Sequence, residues 1–252
     1  MSLTTCVPAR VMLPRESGRS AILTSMNARS EYFTLVEQRP DDFANPPDAA
    51  FRILLEDTQI REAERQTRER LSSAGQPADW ATVGVVFRDQ YVTIVRDAVR
   101  YPDGSLGTYI RMWESRPELR GVVMMPIWQQ NVLLIRHFRH ATRSWHLEIP
   151  RGFGSGEDVQ SSARRELEEE IDGKVTRLVE LGDVYPDTGV RADVVALFLA
   201  EVESYGAAES QEGIIDILPT PLPEFERMIA SGGVSDGFLL AAYARAKARR
   251  LL

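Results

Sequence analysis

Three glutamates, Glu166, Glu169 and Glu170, stand at i, i+3 and i+4 in the run RRELEEEIDG, and on a helix that spacing puts three carboxylates on one face. Like charges so placed repel, and the arrangement calls for a cation among them. Hard oxygen donors of this kind suit Mg²⁺ or Mn²⁺, and Mg²⁺ commonly completes its shell with phosphate oxygens of a substrate. The implied substrate is a phosphorylated small molecule. A metal so held polarises a phosphoryl oxygen and lowers the pKa of bound water, so a pyrophosphate bond can be attacked without a covalent intermediate. Glu and Arg are also strong helix formers, and a surface helix can read RELEEE for that reason alone. The opposite face argues for an anchored helix, because Ala163, Leu167 and Ile171 recur every four residues as an apolar stripe. Arg165 is placed to pair with Glu157, which would fix the preceding glycine-rich loop onto the helix.

Other side chains near this stretch have chemistry to offer. Arg136, Arg139 and Arg151 carry the planar fork that suits phosphate oxygens. His137, His140 and His146 invite a metal reading, but strand alternation would put His137 opposite the other two, and packing or hydrogen bonding is the plainer expectation. Trp128, Trp145 and Phe153 could stack on a base or simply fill core and rim.

These residues need a framework, and 252 residues with 43% hydrophobic content can bury a substantial core. A net charge of -7 and a pI near 5.2 argue against a broad nucleic-acid-binding surface. One cysteine, Cys6, excludes an intrachain disulfide framework and a multi-cysteine zinc site. No apolar run reaches eighteen residues, and arginines and prolines interrupt the N-terminus, so the chain reads as cytoplasmic with no membrane partner.

Residues 1–47 read as a leader or arm. A disordered leader, a misassigned start and an arm ordered by a partner all fit the composition of its first thirty residues, and YFTLVEQ suggests a short strand. Residues 48–80 form a helical segment in this reading, with Asp48 as N-cap, Gly75 as stop and an ordinary charged outer face. Residues 81–252 turn to β signals: TVGVVF, QYVTIVRDAVRY, a YPDGSLG turn, TYIRMW, GVVMMPIW, NVLLIRHF and HLEIP. Beyond the acidic helix come RLVELGDVY, ADVVALFLAEVES and two helices separated by Gly232 and Gly233. Strands and helices mix without regular βαβ alternation, which indicates an α+β fold in which helices sandwich a mixed sheet.

Residues 148–173, EIPRGFGSGEDVQSSARRELEEEIDG, resemble the Nudix box of the Nudix hydrolases. Glu157, Arg165, Glu166, Leu167, Glu169 and Glu170 match that motif in register. Gly152 stands one place late, which shortens the loop by one residue, and Asp172 occupies the position of the motif's closing glycine. YPDG at 101–104, IRHFR at 135–139, EIPRG at 148–152 and YPDTG at 185–189 are similar to the ADP-ribose pyrophosphatase-like branch. The resemblance implies an α/β/α sandwich with an N-terminal extension, and divalent-metal-dependent cleavage of a nucleoside diphosphate linked to another moiety, ADP-ribose or a nucleotide sugar, into NMP and a sugar phosphate. It also implies metal ligation by Glu166, Glu169, Glu170 and the carbonyl of Arg151, and substrate contacts from Arg139 ahead of Arg136 and Arg151. Asp193, with Asp187 and Glu212 behind it, becomes the candidate for activating water. Gly152, Glu157 and Arg165 take structural parts in the motif, and a homodimer joined through N-terminal strands is expected. The alternative from another class is a catalytically silent Nudix-like nucleotide-binding or regulatory module, motivated by the short loop and Asp172. A nucleoside-triphosphate hydrolase fits less well, since such relatives tend to lack the leading strands.

Overall fold

The computed structural model describes residues 25–116, 119–154, 156, 158–207 and 213–252. Two helices open it, α1 (Ser25–Gln38) and α2 (Pro40–Phe43), followed by β1 (Arg52–Leu54), α3 (Asp57–Ser73) and three strands, β2 (Gly84–Arg88), β3 (Val92–Arg100) and β4 (Leu106–Glu114). The second half holds β5 (Gly121–Trp128), β6 (Asn131–Arg139), β7 (Ser144–Glu148), β8 (Arg151–Phe153), α4 (Val159–Ile171), β9 (Val175–Val184), β10 (Val195–Val202), β11 (Ile214–Pro221), α5 (Leu222–Ala230) and α6 (Gly237–Ala248). Among the described residues no helix is long and apolar enough to cross a membrane.

The strands form two sheets. In the first, β3 pairs antiparallel with β1, β2 and β4. In the second the order is β11-β6-β5-β10-β9, with β7 on β6 and β8 on β5; β10 runs parallel to β5 and the other pairs are antiparallel. Alternation along β5 and β10 splits their side chains between two cores. Val123, Met125, Leu197 and Leu199 face α6, while Val122, Met124, Ala196 and Phe198 face α4. This is the expected α/β/α sandwich. The stripe of Ala163, Leu167 and Ile171 is fully buried in the second of these cores, so α4 is fixed to the sheet along its whole length.

The N-terminal half corrects two expectations. YFTLVEQ is no strand; it lies in α1, where Ala28, Tyr32 and Leu35, at i, i+4 and i+7, are buried, and the helix packs against β2. Helical period outweighed the β propensity of Tyr-Phe-Thr. The helix assigned from Asp48 begins instead at Asp57, because 52–54 are drawn into a strand opposite 98–100, and Asn45 exchanges two hydrogen bonds with the Ile53 backbone, at 2.7 and 2.9 Å. Its end matches the expectation: Gly75, at φ +68, follows the last turn. The strands β1, β2 and β4 all hydrogen-bond with β3, and this sheet shares with α1 and α3 a core of its own around Tyr32, Ile60, Val95 and Trp113, separate from the sheet that starts at β5.

Candidate active site

The helix α4 is started by Asp158, whose side chain accepts from the amides of Gln160 and Ser161 at 2.9 and 3.0 Å. It ends on Asp172, in the left-handed conformation (φ 49, ψ 41) that the motif's glycine would adopt at less steric cost, with the amides of Asp172 and Gly173 bonded back to the last turn. The displaced glycine therefore leaves the helix terminus intact.

Between these caps the three glutamates are not equivalent. Glu166 and Glu170 are 9% and 2% exposed, whereas the Glu169 side chain is 56% exposed at the helix edge. The buried pair leans onto β8. A Cβ added to Gly152 would stand 2.0 Å from the Glu166 carboxyl, which explains why glycine is needed there, and the Arg151 amide donates to Glu170 Oε2 at 3.2 Å. Arg165 donates to the Phe153 carbonyl at 2.8 Å and contacts Glu166 at 2.8 Å and Glu169 at 2.6 Å. It ties the loop to the helix through a backbone carbonyl; Glu157, its expected partner, lies outside the described residues.

Glu148 is a second hub. It is buried, and its Oε2 accepts from Arg139 Nε at 2.7 Å and lies 2.5 Å from Arg151 Nη2, which also reaches Asp236 at 3.1 Å. Burial opposes ionisation of this carboxyl, but the two guanidinium groups outweigh it and hold its pKa below the usual carboxylate range. Asp236 caps α6 through the Leu239 amide, and Arg151 lies over the Phe238 ring at 5.3 Å, so the last helix helps to aim Arg151. The sequence offered Glu148 only as a motif letter. Nothing in its spacing marks the two-arginine hub, because Glu148, Arg139 and Arg151 come from three separate strands, β7, β6 and β8.

These groups line a cleft of about 1410 Å³. Arg139, Arg151, Gly152, Arg165, Glu166, Glu169 and Asp193 border it, and Phe153, 56% exposed, lies at its wall. Arg136 does not: it is exposed, stacks over Trp145 at 5.2 Å and sits 3.9 Å from Asp216. Trp145 and Trp128 pack edge-on against Phe138 and Tyr205 and are also absent from the lining. Asp187 closes its own loop by accepting from the Gly189 amide at 2.8 Å; Glu212 is outside the described residues. The histidines need a correction, since His137 and His146 are directly paired across β6 and β7 and so share a face. Their expected roles as hydrogen-bonding and packing groups agree with the contacts: His146 meets Thr142 at 2.6 Å and His140 meets Arg143 at 2.8 Å. Unforeseen are the N-terminal contributions to the wall, Arg39, Asp42, Trp113 and Glu114. The Glu114 carboxyl is pushed up by burial and by neighbouring Asp193.

Residues 117–225 match the sequence profile of the NUDIX domain. The matched stretch is 109 of the 252 residues. A crystal structure described as an ADP compounds hydrolase is similar, with a TM-score of 0.57 and 21% identity over 66% of this chain and 89% of that chain, a likeness in fold. No curated protein matches the chain. Within the matched stretch the side chains of Glu166, Glu169 and Glu170 offer oxygen donors, with Glu166 against Gly152 and Glu170 accepting from the Arg151 amide, and oxygen donors suit a hard divalent cation. Among the described residues no three acidic, histidine or cysteine side chains converge on one point, and Arg165 bridges Glu166 and Glu169.

Proposed function

We propose that the chain hydrolyses the pyrophosphate bond of a nucleoside diphosphate linked to another moiety, ADP-ribose or a nucleotide sugar, to NMP and a sugar phosphate, with Mg²⁺ or Mn²⁺. The observation that carries this reading is the pair of buried carboxylates on α4, Glu166 and Glu170, set against β8 beside a cleft with two arginines. The NUDIX match and the fold shared with an ADP compounds hydrolase support it.

In this reading Glu166, Glu169 and Glu170, with the Arg151 carbonyl, hold the cation. Bound there, a divalent ion supplies charge neutralisation of the phosphates and Lewis-acid polarisation of the P–O bond under attack. Arg139 and Arg151, poised on Glu148 and Asp236, have guanidinium edges able to turn to phosphate oxygens. Phe153 offers an exposed ring to a base. Arg136, away from the cleft, is assigned to the Trp145 surface instead.

A panel of ADP-ribose, nucleotide sugars, dinucleoside polyphosphates and NADH, assayed with Mg²⁺ and with Mn²⁺, tests the proposal. Turnover of at least one NDP-linked compound, abolished by EDTA, is expected, and inertness towards all of them with either metal would refute it. The second reading, a nucleotide-binding module without turnover, is favoured by one observation, the Arg165 guanidinium standing between Glu166 and Glu169. Tight binding of ADP-ribose with no hydrolysis would select it.

We also propose a cytoplasmic homodimer that binds no nucleic acid. Phe87, Ile94 and Met112 lie in a row across β2, β3 and β4, and Phe87 and nearby Ile110 are 38% and 39% exposed, an apolar sheet face suited to a second copy.

A further inference from the structure

The loop joining β9 to β10 carries Asp193, the residue expected from the family resemblance to activate water. Both of its carboxylate oxygens are engaged. Oδ1 accepts from the Glu114 amide at 2.6 Å, and Oδ2 is held by Arg191 Nε at 3.0 Å and Nη2 at 2.5 Å. Around it the loop runs along β4 as a short parallel ladder. Met112 N donates to the Val190 carbonyl at 2.8 Å, Ala192 N donates to the Met112 carbonyl at 3.1 Å, and Tyr109 Oη donates to the Gly189 carbonyl at 2.7 Å.

The strand β4 belongs to the other sheet and lies before residue 117, where the NUDIX match begins, yet its Trp113 and Glu114 line the cleft. The ladder reaches Met112 through backbone alone. Two residues further, at Glu114, the acceptor is the Asp193 side chain. We propose that Asp193 is a positioning residue, a latch that fastens the β9–β10 loop to the end of β4 and so makes the N-terminal sheet a fixed wall of the NUDIX cleft. The wall's part in turnover rests on the pyrophosphohydrolase reading; the latch itself does not.

Amide hydrogen exchange and steady-state kinetics on the full chain test this in Asp193→Asn and Asp193→Ala. Asparagine keeps an oxygen for the Glu114 amide. Its protection should therefore persist in Asp193→Asn, with kcat falling less than about tenfold and the limbs of the kcat pH profile unmoved. In Asp193→Ala the Glu114 amide should exchange about tenfold faster or more, and KM should rise by a larger factor than kcat falls. A kcat loss of about a hundredfold or more in Asp193→Asn with Glu114 still protected would overturn the proposal in favour of proton transfer by Asp193. Unchanged Glu114 protection in Asp193→Ala would overturn it as well. If the wild-type chain turns over none of the panel, the pyrophosphohydrolase reading fails, while exchange at Glu114 still decides whether the latch exists.

Discussion

Gly152 and Glu166 share one volume: the carboxyl end of the glutamate fills the space where any other residue would put its Cβ. The obstacle to Gly152→Ala is therefore the far end of a flexible side chain, so the substitution should cost only about 1 kcal/mol of stability. The displaced carboxylate is a proposed metal ligand, and activity should fall about 10- to 100-fold, a split that urea unfolding and initial rates would show together. At Glu148 the prediction concerns pH. Its folded pKa lies below the unfolded value, so its contribution is fully present above about pH 4.3 and is lost as pH falls through the lower folded value. Unfolding free energies measured at a series of acidic pH values should decline less steeply in Glu148→Gln than in the wild type. The grouping of Glu166, Glu169 and Glu170, the proposed ligands, was legible because helical geometry converts i, i+3, i+4 directly into a face. Their unequal burial was not, since Gly152 and the Arg151 amide arrive from a strand whose placement no local pattern specifies.

At the scale of elements, α4 was the most readable part of the chain: apolar stripe, acidic face and adjoining strands all stand as expected. Leu167→Ala should lower stability by about 2–5 kcal/mol, because the side chain is fully enclosed between the sheet and its own helix. The substitution at its C-terminus points the other way. Asp172 holds a left-handed conformation, so Asp172→Gly should raise stability by about 1 kcal/mol or less, the lost contact of the Asp172 side chain with Gly206 offsetting part of the gain. Differential scanning calorimetry of both variants checks the pair of signs. The two short strands β1 and β8 escaped the sequence reading, as three-residue strands carry almost no periodicity and exist only through their partners β3 and β5.

Across the whole molecule, the cleft is a joint product of two sheets with separate cores, and Trp113 and Glu114 reach it only because β4 docks against the loop at 187–193. Sequence alone showed the strands on either side but could not show that docking, which pairs Met112 with Val190 and Ala192 through backbone groups common to every residue. Part of the β4 edge is thereby satisfied within one chain, leaving the Phe87–Ile94–Met112 face as the proposed dimer surface. Size-exclusion chromatography with light scattering should give a dimer at micromolar concentration, and Ile110→Lys should shift it towards monomer. The proposed metal-dependent hydrolysis depends on the α4 carboxylates. Phosphorus NMR of ADP-ribose incubated with wild-type protein and Mg²⁺ should show the pyrophosphate signals replaced by AMP and ribose phosphate, with the rate at least about 100-fold lower in Glu170→Gln and abolished by EDTA. Undiminished conversion by Glu170→Gln, or an unaltered spectrum with the wild type, would contradict it.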